Sequence, residues 1–234
     1  MGTSSTMSLI NVFIEPKSVF DNLHANKKWG LVGLALLIGI TGLSSMMFFN
    51  GMSTDWLIEQ QLAGMGDVSP SEMKNARQGL AMMVEHTGTM AAVGSLIMFP
   101  MTTALFALYY KVASSALAVT KPDFTFADWF SFSIWTQMPA LINTLGFMAL
   151  FLTAATSDLP ISMPNYASIN QLLLGYVAGE SLYVWAESLN LFSIWSAVIA
   201  TIGFNRCCKM PFGQSAFCAV LPLVIIFGVW FLLA

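Results

Sequence analysis

Five apolar runs of membrane length partition the chain. The first, Trp29 to Phe49, carries no charge. The others run from about Met90 to Tyr110, Trp129 to about Ala154, Trp185 to Phe204 and Gln214 to Ala234. Each approaches the roughly 20 residues that a helix needs to cross a hydrocarbon core of about 30 Å. Glu187 and Asn190 interrupt the start of the fourth. The pattern predicts an all-α polytopic membrane protein with five transmembrane helices. One membrane domain would cover residues 1–234, with outer connections at about 50–89 and 155–184.

Shorter elements lie between the runs. Ser8 to Asn26 places Leu9, Ile10, Val12, Phe13, Ile14, Val19, Phe20 and Leu23 among charges, with Pro16 suited to a helix first turn. This predicts an N-terminal interfacial helix on the inner membrane surface. Ser69-Pro70-Ser71-Glu72 and Thr125-Phe126-Ala127-Asp128 read as capping boxes that open helices. The first of these helices has nothing that forces a break before Pro100. Ser168-Ile169-Asn170-Gln171 is a third box, opening a helix over about Ile169 to Ser188. Leu172, Leu173, Leu174, Tyr176, Val177, Leu182, Tyr183 and Trp185 make that stretch too apolar for a solvated loop. It reads as an outer amphipathic or re-entrant helix; the alternative is one long, bent fourth span. Gly175 and Gly179, four apart, would form a helix-packing surface. No inverted repeat is visible.

Charge orients the bundle. Lys17, Lys27, Lys28, Lys111, Lys121, Arg206 and Lys209 fall on one set of connections, and only Lys74 and Arg77 on the other. By the positive-inside rule the N-terminus is cytoplasmic and the C-terminus outside. Asp55, Glu59, Asp67, Glu72, Glu85, Asp158, Glu180 and Glu187 all fall on the outer side. With 56% hydrophobic and 9% charged residues, the composition excludes a soluble globule. No basic stripe interleaved with aromatics suggests nucleic acid. Cys207, Cys208 and Cys218 are expected as free thiols. No cleavable signal peptide is evident at the polar N-terminus. Gly2 and Thr6 match an N-myristoylation pattern, although Met7 as an alternative start is the simpler reading.

Polar groups at membrane depth are costly and mark candidate sites. Ser133, Gln137, Ala140 and Thr144 share a stripe of the third span, with Asn143 beside it and Pro139 as an expected kink. They would line a polar path or, in the simpler reading, hydrogen-bond neighbouring helices. Glu180, Tyr183, Glu187 and Asn190 would share one helical face, either a paired-carboxylate ligand site or the solvated side of an amphipathic helix. Glu85-His86 reads as an interfacial pair, and the methionines as flexible packing. Nucleophile-elbow, phosphate-loop and dinucleotide motifs are absent from the sequence. A non-enzyme with neither cofactor nor metal is expected.

Phe13-Ile14-Glu15-Pro16-Lys17-Ser18-Val19-Phe20 joins an aromatic, a proline and a following Val-Phe. Ser188-Leu189-Asn190-Leu191-Phe192-Ser193-Ile194-Trp195, then Ile202-Gly203-Phe204, a short loop and a helix with Leu221-Pro222, close the chain. Together these resemble the bacterial Yip1-domain membrane proteins. The resemblance implies five spans and a cytoplasmic N-terminus, in a bacterial inner (cytoplasmic) membrane. Eukaryotic relatives are associated with Rab-type GTPases; the Asp-Leu-Tyr-Gly-Pro-like motif of those relatives is missing here, which argues against GTPase binding. The leading expectation is a membrane-organising or regulatory scaffold, partnered by membrane lipids and by a second copy or another membrane protein. The competing expectation is a carrier or flippase for a lipid or small polar solute, using Gln137, Asn143, Glu180 and Glu187.

Overall fold

The computed structural model describes residues 5–66 and 68–234; Gly2 of the myristoylation pattern and Asp67 lie outside the described residues. The helices are α1 (Ser8–Ile14), α2 (Pro16–Asp21), α3 (Lys27–Gly51), α4 (Thr54–Ala63), α5 (Pro70–Met83), α6 (Thr87–Leu117), α7 (Phe126–Gln137), α8 (Pro139–Thr153), α9 (Tyr183–Ser188), α10 (Leu191–Cys207) and α11 (Phe212–Leu233). Four stretches are long and apolar enough to cross a membrane: Lys27–Gly51, Pro70–Leu117, Phe126–Thr153 and Phe212–Leu233. Leu191–Cys207 is a shorter apolar helix. The fourth expected span, 185–204, is therefore divided, because the backbone turns extended at Leu189 between α9 and α10.

The helices fold into two compact units. The first draws on residues 1–38, 97–142 and 192–228, the second on residues 39–96, 143–191 and 229–234.

In the first unit the core is aromatic. The Phe132 ring centroid lies 5.0 Å from that of Phe20, 5.1 Å from Tyr110, 5.3 Å from Trp129 and 5.4 Å from Phe204. Edge-to-face and tilted pairs at these separations add to the area that the rings bury. The expected single interfacial helix is two short ones, broken at Glu15, with Pro16 starting α2 because its missing N–H costs nothing there. It is docked on protein: Val12, Val19, Phe20 and Leu23 are buried, and Phe13 meets Trp195 edge-on at 5.8 Å. Arg206 grips Asp21 through two bonds, Nε to Oδ1 at 2.8 Å and Nη2 to Oδ2 at 2.7 Å. This side-chain hydrogen bond holds the Asp21 carboxyl below its usual range.

The second unit packs around Phe48, Met52, Leu57, Ile58, Leu62, Val84 and Phe147. Much of the expected outer connection is thus core-forming structure. Ser53 donates through N at 2.7 Å and Oγ at 2.9 Å to the Asp158 carboxylate, and Trp56 Nε1 donates to Leu159 O at 2.9 Å. The Ser69/Glu72 capping box opens α5 as its spacing predicts. The helix does not run unbroken to Pro100. It tightens into a 3₁₀ turn at Val84–His86, where Val84 enters the core, and α6 then continues through Pro100. The kink expected at Pro139 appears as the break between α7 and α8, since proline cannot donate the next helical bond.

The largest departure is at Ile169–Ser188. In place of one helix stand a five-residue π-helix, Asn170–Leu174, a turn, and α9. Gly175 (φ +69°) and Gly179 (φ +98°) adopt left-handed backbone that L side chains avoid, and that ends the helical path.

Candidate functional site

The first unit holds a seam between α3 and α7. At its polar end Asp128, fully buried, sits 2.7 Å from Lys27 Nζ and 3.1 Å from His24 Nδ1. Thr125 adds its N–H at 2.9 Å and its hydroxyl at 2.5 Å. A residue that reads from sequence as a helix cap is thus also the counter-ion that ties α7 to the start of α3. A turn further along, a Cβ on Gly30 would stand 2.6 Å from Ser131 Oγ, and one on Gly33 would stand 3.1 Å from Met138 Sδ. Gly30 and Gly33 therefore let α7 approach closely, as small residues do between membrane helices. Ser131 Oγ and Trp135 Nε1 are buried beside Gly30 without a protein partner. The signal for this seam was present in the spacing Lys27, Gly30, Gly33, which presents one helical face. The pair that reads as packing glycines in the sequence, Gly175 and Gly179, lies outside this seam.

Gln137 belongs to this unit. Its Nε2 donates to Thr103 Oγ1 at 3.1 Å, Ser133 O at 3.0 Å and Ser133 Oγ at 3.1 Å. The amide therefore bridges α7 to α6.

The other singled-out residues belong to the second unit. Asn143 Nδ2 donates weakly to Pro164 O at 3.4 Å, while its Oδ1 is buried without a partner. Glu187 is the most enclosed carboxylate of the expected face, at 4% exposure. Its partners are neutral donors: Asn170 Nδ2 at 2.8 Å, Gln171 Nε2 at 2.5 Å and Ser168 Oγ at 3.3 Å. Burying a carboxylate is costly unless hydrogen bonds replace its water, and these three do so. Glu180 is exposed and stands in the turn before α9, where its Oε2 accepts from Val177 N at 2.9 Å. Tyr183 begins α9 and is half-buried. Asn190 lies beyond α9 and forms an isolated bridge with Ser168. The four residues do not share a continuous helix, and the bonds of Glu180 and Glu187 have no member in common. Gly179 approaches Gly66, where a Cβ would come within 3.3 Å of Gly66 Cα; Gly175 has open space around it.

Four stretches long and apolar enough to cross a bilayer define a multi-pass helical membrane protein. A family model, the Yip1 domain, matches residues 10–233, and the chain belongs to that family. No curated protein and no solved structure matches it.

Proposed function

We propose that the protein is a non-enzymatic membrane organiser that acts by helix-to-helix contact with a second copy or another membrane protein. It would sit in a bacterial inner membrane with a cytoplasmic N-terminus and five spans, α9 and α10 together making the fourth. The observation that carries this reading is the set of outward apolar and glycine positions on α3 and α6, taken in each unit separately. In the first unit α6 turns Ile97, Met98, Met101, Leu105, Leu108 and Val112 outward. In the second unit Gly39 on α3 and Gly94 on α6 have nothing within 4 Å of where a Cβ would be. An outward glycine weakens its own helix and leaves a hollow that a neighbouring helix can fill.

Two further observations support the reading. Gln137 and Glu187, which a carrier would need free, are spent on hydrogen bonds within the fold. Lys17, Lys27, Lys28, Lys111, Lys121, Arg206 and Lys209 fall on one set of connections between the apolar stretches, against Lys74 and Arg77 on the other, which supports a cytoplasmic N-terminus. Photo-crosslinking from Met98 and Leu105 in native membranes tests the contact. A discrete protein adduct is expected. Lipid adducts alone, with alanine at Gln137, Asn143, Glu180 and Glu187 abolishing lipid occupancy, would move the assignment to a carrier.

A further inference from the structure

Leu172, Leu173 and Leu174 stand exposed in succession, Leu173 at 80%, with Val177 beyond them. In water three bare leucines forgo the stabilisation that burial gives apolar side chains. We propose that this π-turn is a lipid-inserting knuckle, clamped by Glu187, which sets these side chains among the acyl chains of one leaflet. The proposal is independent of the scaffold reading.

The first support is the backbone. Irregular chain entering hydrocarbon must satisfy its own polar groups, whereas a solvated loop has water for them. Here Leu172 N donates to Ser168 O at 3.0 Å and Gly175 N to Asn170 O at 2.9 Å. The Asn170 side chain closes the turn from both sides, with Nδ2 donating to Tyr176 O at 3.0 Å and Oδ1 accepting from Tyr176 N at 2.8 Å. Glu180 takes the Val177 N–H, and Glu180 N returns to Val177 O at 3.1 Å. Of the side chains that carry out this closure, Glu180 reads from the sequence as a ligand-site residue and Asn170 as part of a capping box.

The second support is charge. No charged residue occurs from Leu159 through Gly179. The two carboxylates that follow nearest, Glu180 and Glu187, are both engaged in hydrogen bonds.

The third is continuity with a membrane-facing surface. Trp185 of α9 packs on Phe231 of α11 at 5.2 Å. In that last part of α11, Val229, Leu232 and Leu233 are exposed. The helix that follows the knuckle, α9, thus rests on the exposed end of α11. Glu187 fixes its attitude, because Ser168, Asn170 and Gln171 all bind that one carboxylate.

The test is a nitroxide on Leu173→Cys, in the full chain reconstituted into phosphatidylcholine–phosphatidylglycerol vesicles. Lys74→Cys, on exposed α5, serves as the water-side control, and labelled wild type gives the background of Cys207, Cys208 and Cys218. Position 173 should be at least about tenfold less accessible to a water-soluble nickel chelate than position 74, and more accessible to oxygen, since a polar reagent is excluded from hydrocarbon and oxygen is not. Val177→Cys should follow the same trend. Equal nickel access at 173 and 74 would overturn the proposal, and so would exclusion of both reagents, which signals a protein contact. Adding Glu187→Ala should raise nickel access at 173 several-fold; no change would remove Glu187 from the clamp.

Discussion

Gly203 of α10 makes room for Phe132 of α7: a Cβ on Gly203 would stand 2.6 Å from Cε2 of that ring and 3.0 Å from Cε1 of Phe20. The contact unites stretches far apart in the chain. Phe20 and Gly203 both lie in the segments that carry the family resemblance, and both meet Phe132. The aromatic-proline-Val-Phe motif is therefore a docking plug for the first unit, and Ile202-Gly203-Phe204 is part of its socket.

Gly203→Ala should consequently overpack a core that has no slack. The expected loss is about 1–3 kcal/mol of unfolding free energy in detergent, read from denaturant titration. Phe132→Leu in the same chain should recover part of it. Additive losses would mean that the two positions are not coupled.

Lys27→Met removes the nearest cation from a fully buried carboxylate and leaves Asp128 with the exposed His24 imidazole and Thr125. Removing one partner of a buried pair costs about 3 kcal/mol or more, whereas replacing both is far milder. Thermal unfolding should therefore rank wild type above the Lys27→Met/Asp128→Asn double variant, and the double variant above Lys27→Met alone. A Lys27→Met protein as stable as wild type would contradict the counter-ion role.

The Asp21–Arg206 pair predicts a pH dependence of α2 docking. The folded carboxyl is held below its ordinary value of 3.8, so its contribution is complete above that pH and is lost as pH falls through the lower folded value. Cys207 reports on it, because its Sγ donates to Phe20 O at 3.6 Å and would be freed by undocking. Disulfide exchange with dithiodipyridine, which works in acid, should be faster for Asp21→Asn than for wild type at neutral pH. The two should converge in acid, as pH falls below 3.8 and through the lower folded value. A constant ratio at all pH values would dismiss the pair as a tether.

The membrane class and most helices were legible because they depend on long apolar runs and on caps that act within four residues. Ser69/Glu72, Thr125/Asp128 and Pro16 did locally what their spacing implies. The breaks were less legible. Val84 turns inward because a core built from Phe48, Leu57 and Phe147 receives it, and no local pattern encodes that. Gly175 and Gly179 looked like helix-packing glycines because spacing alone does not distinguish a helix from two left-handed turns. Glu187 reads from its spacing as part of one helical face, but α9 spans only Tyr183–Ser188 and leaves Glu180 and Asn190 outside it. Its burial depends on donors sixteen to nineteen residues earlier, beyond any periodicity. Asp128 was visible as a cap but not as the partner of Lys27, which lies on the far side of two other segments of the sequence.

Native mass spectrometry of the protein released gently from its own membrane tests the central claim most directly. The account predicts a dimer, a higher oligomer or a complex of defined mass with a second membrane protein, unchanged by Glu187→Gln. A monomer holding one tightly bound lipid per chain, lost on Glu187→Gln, would contradict it.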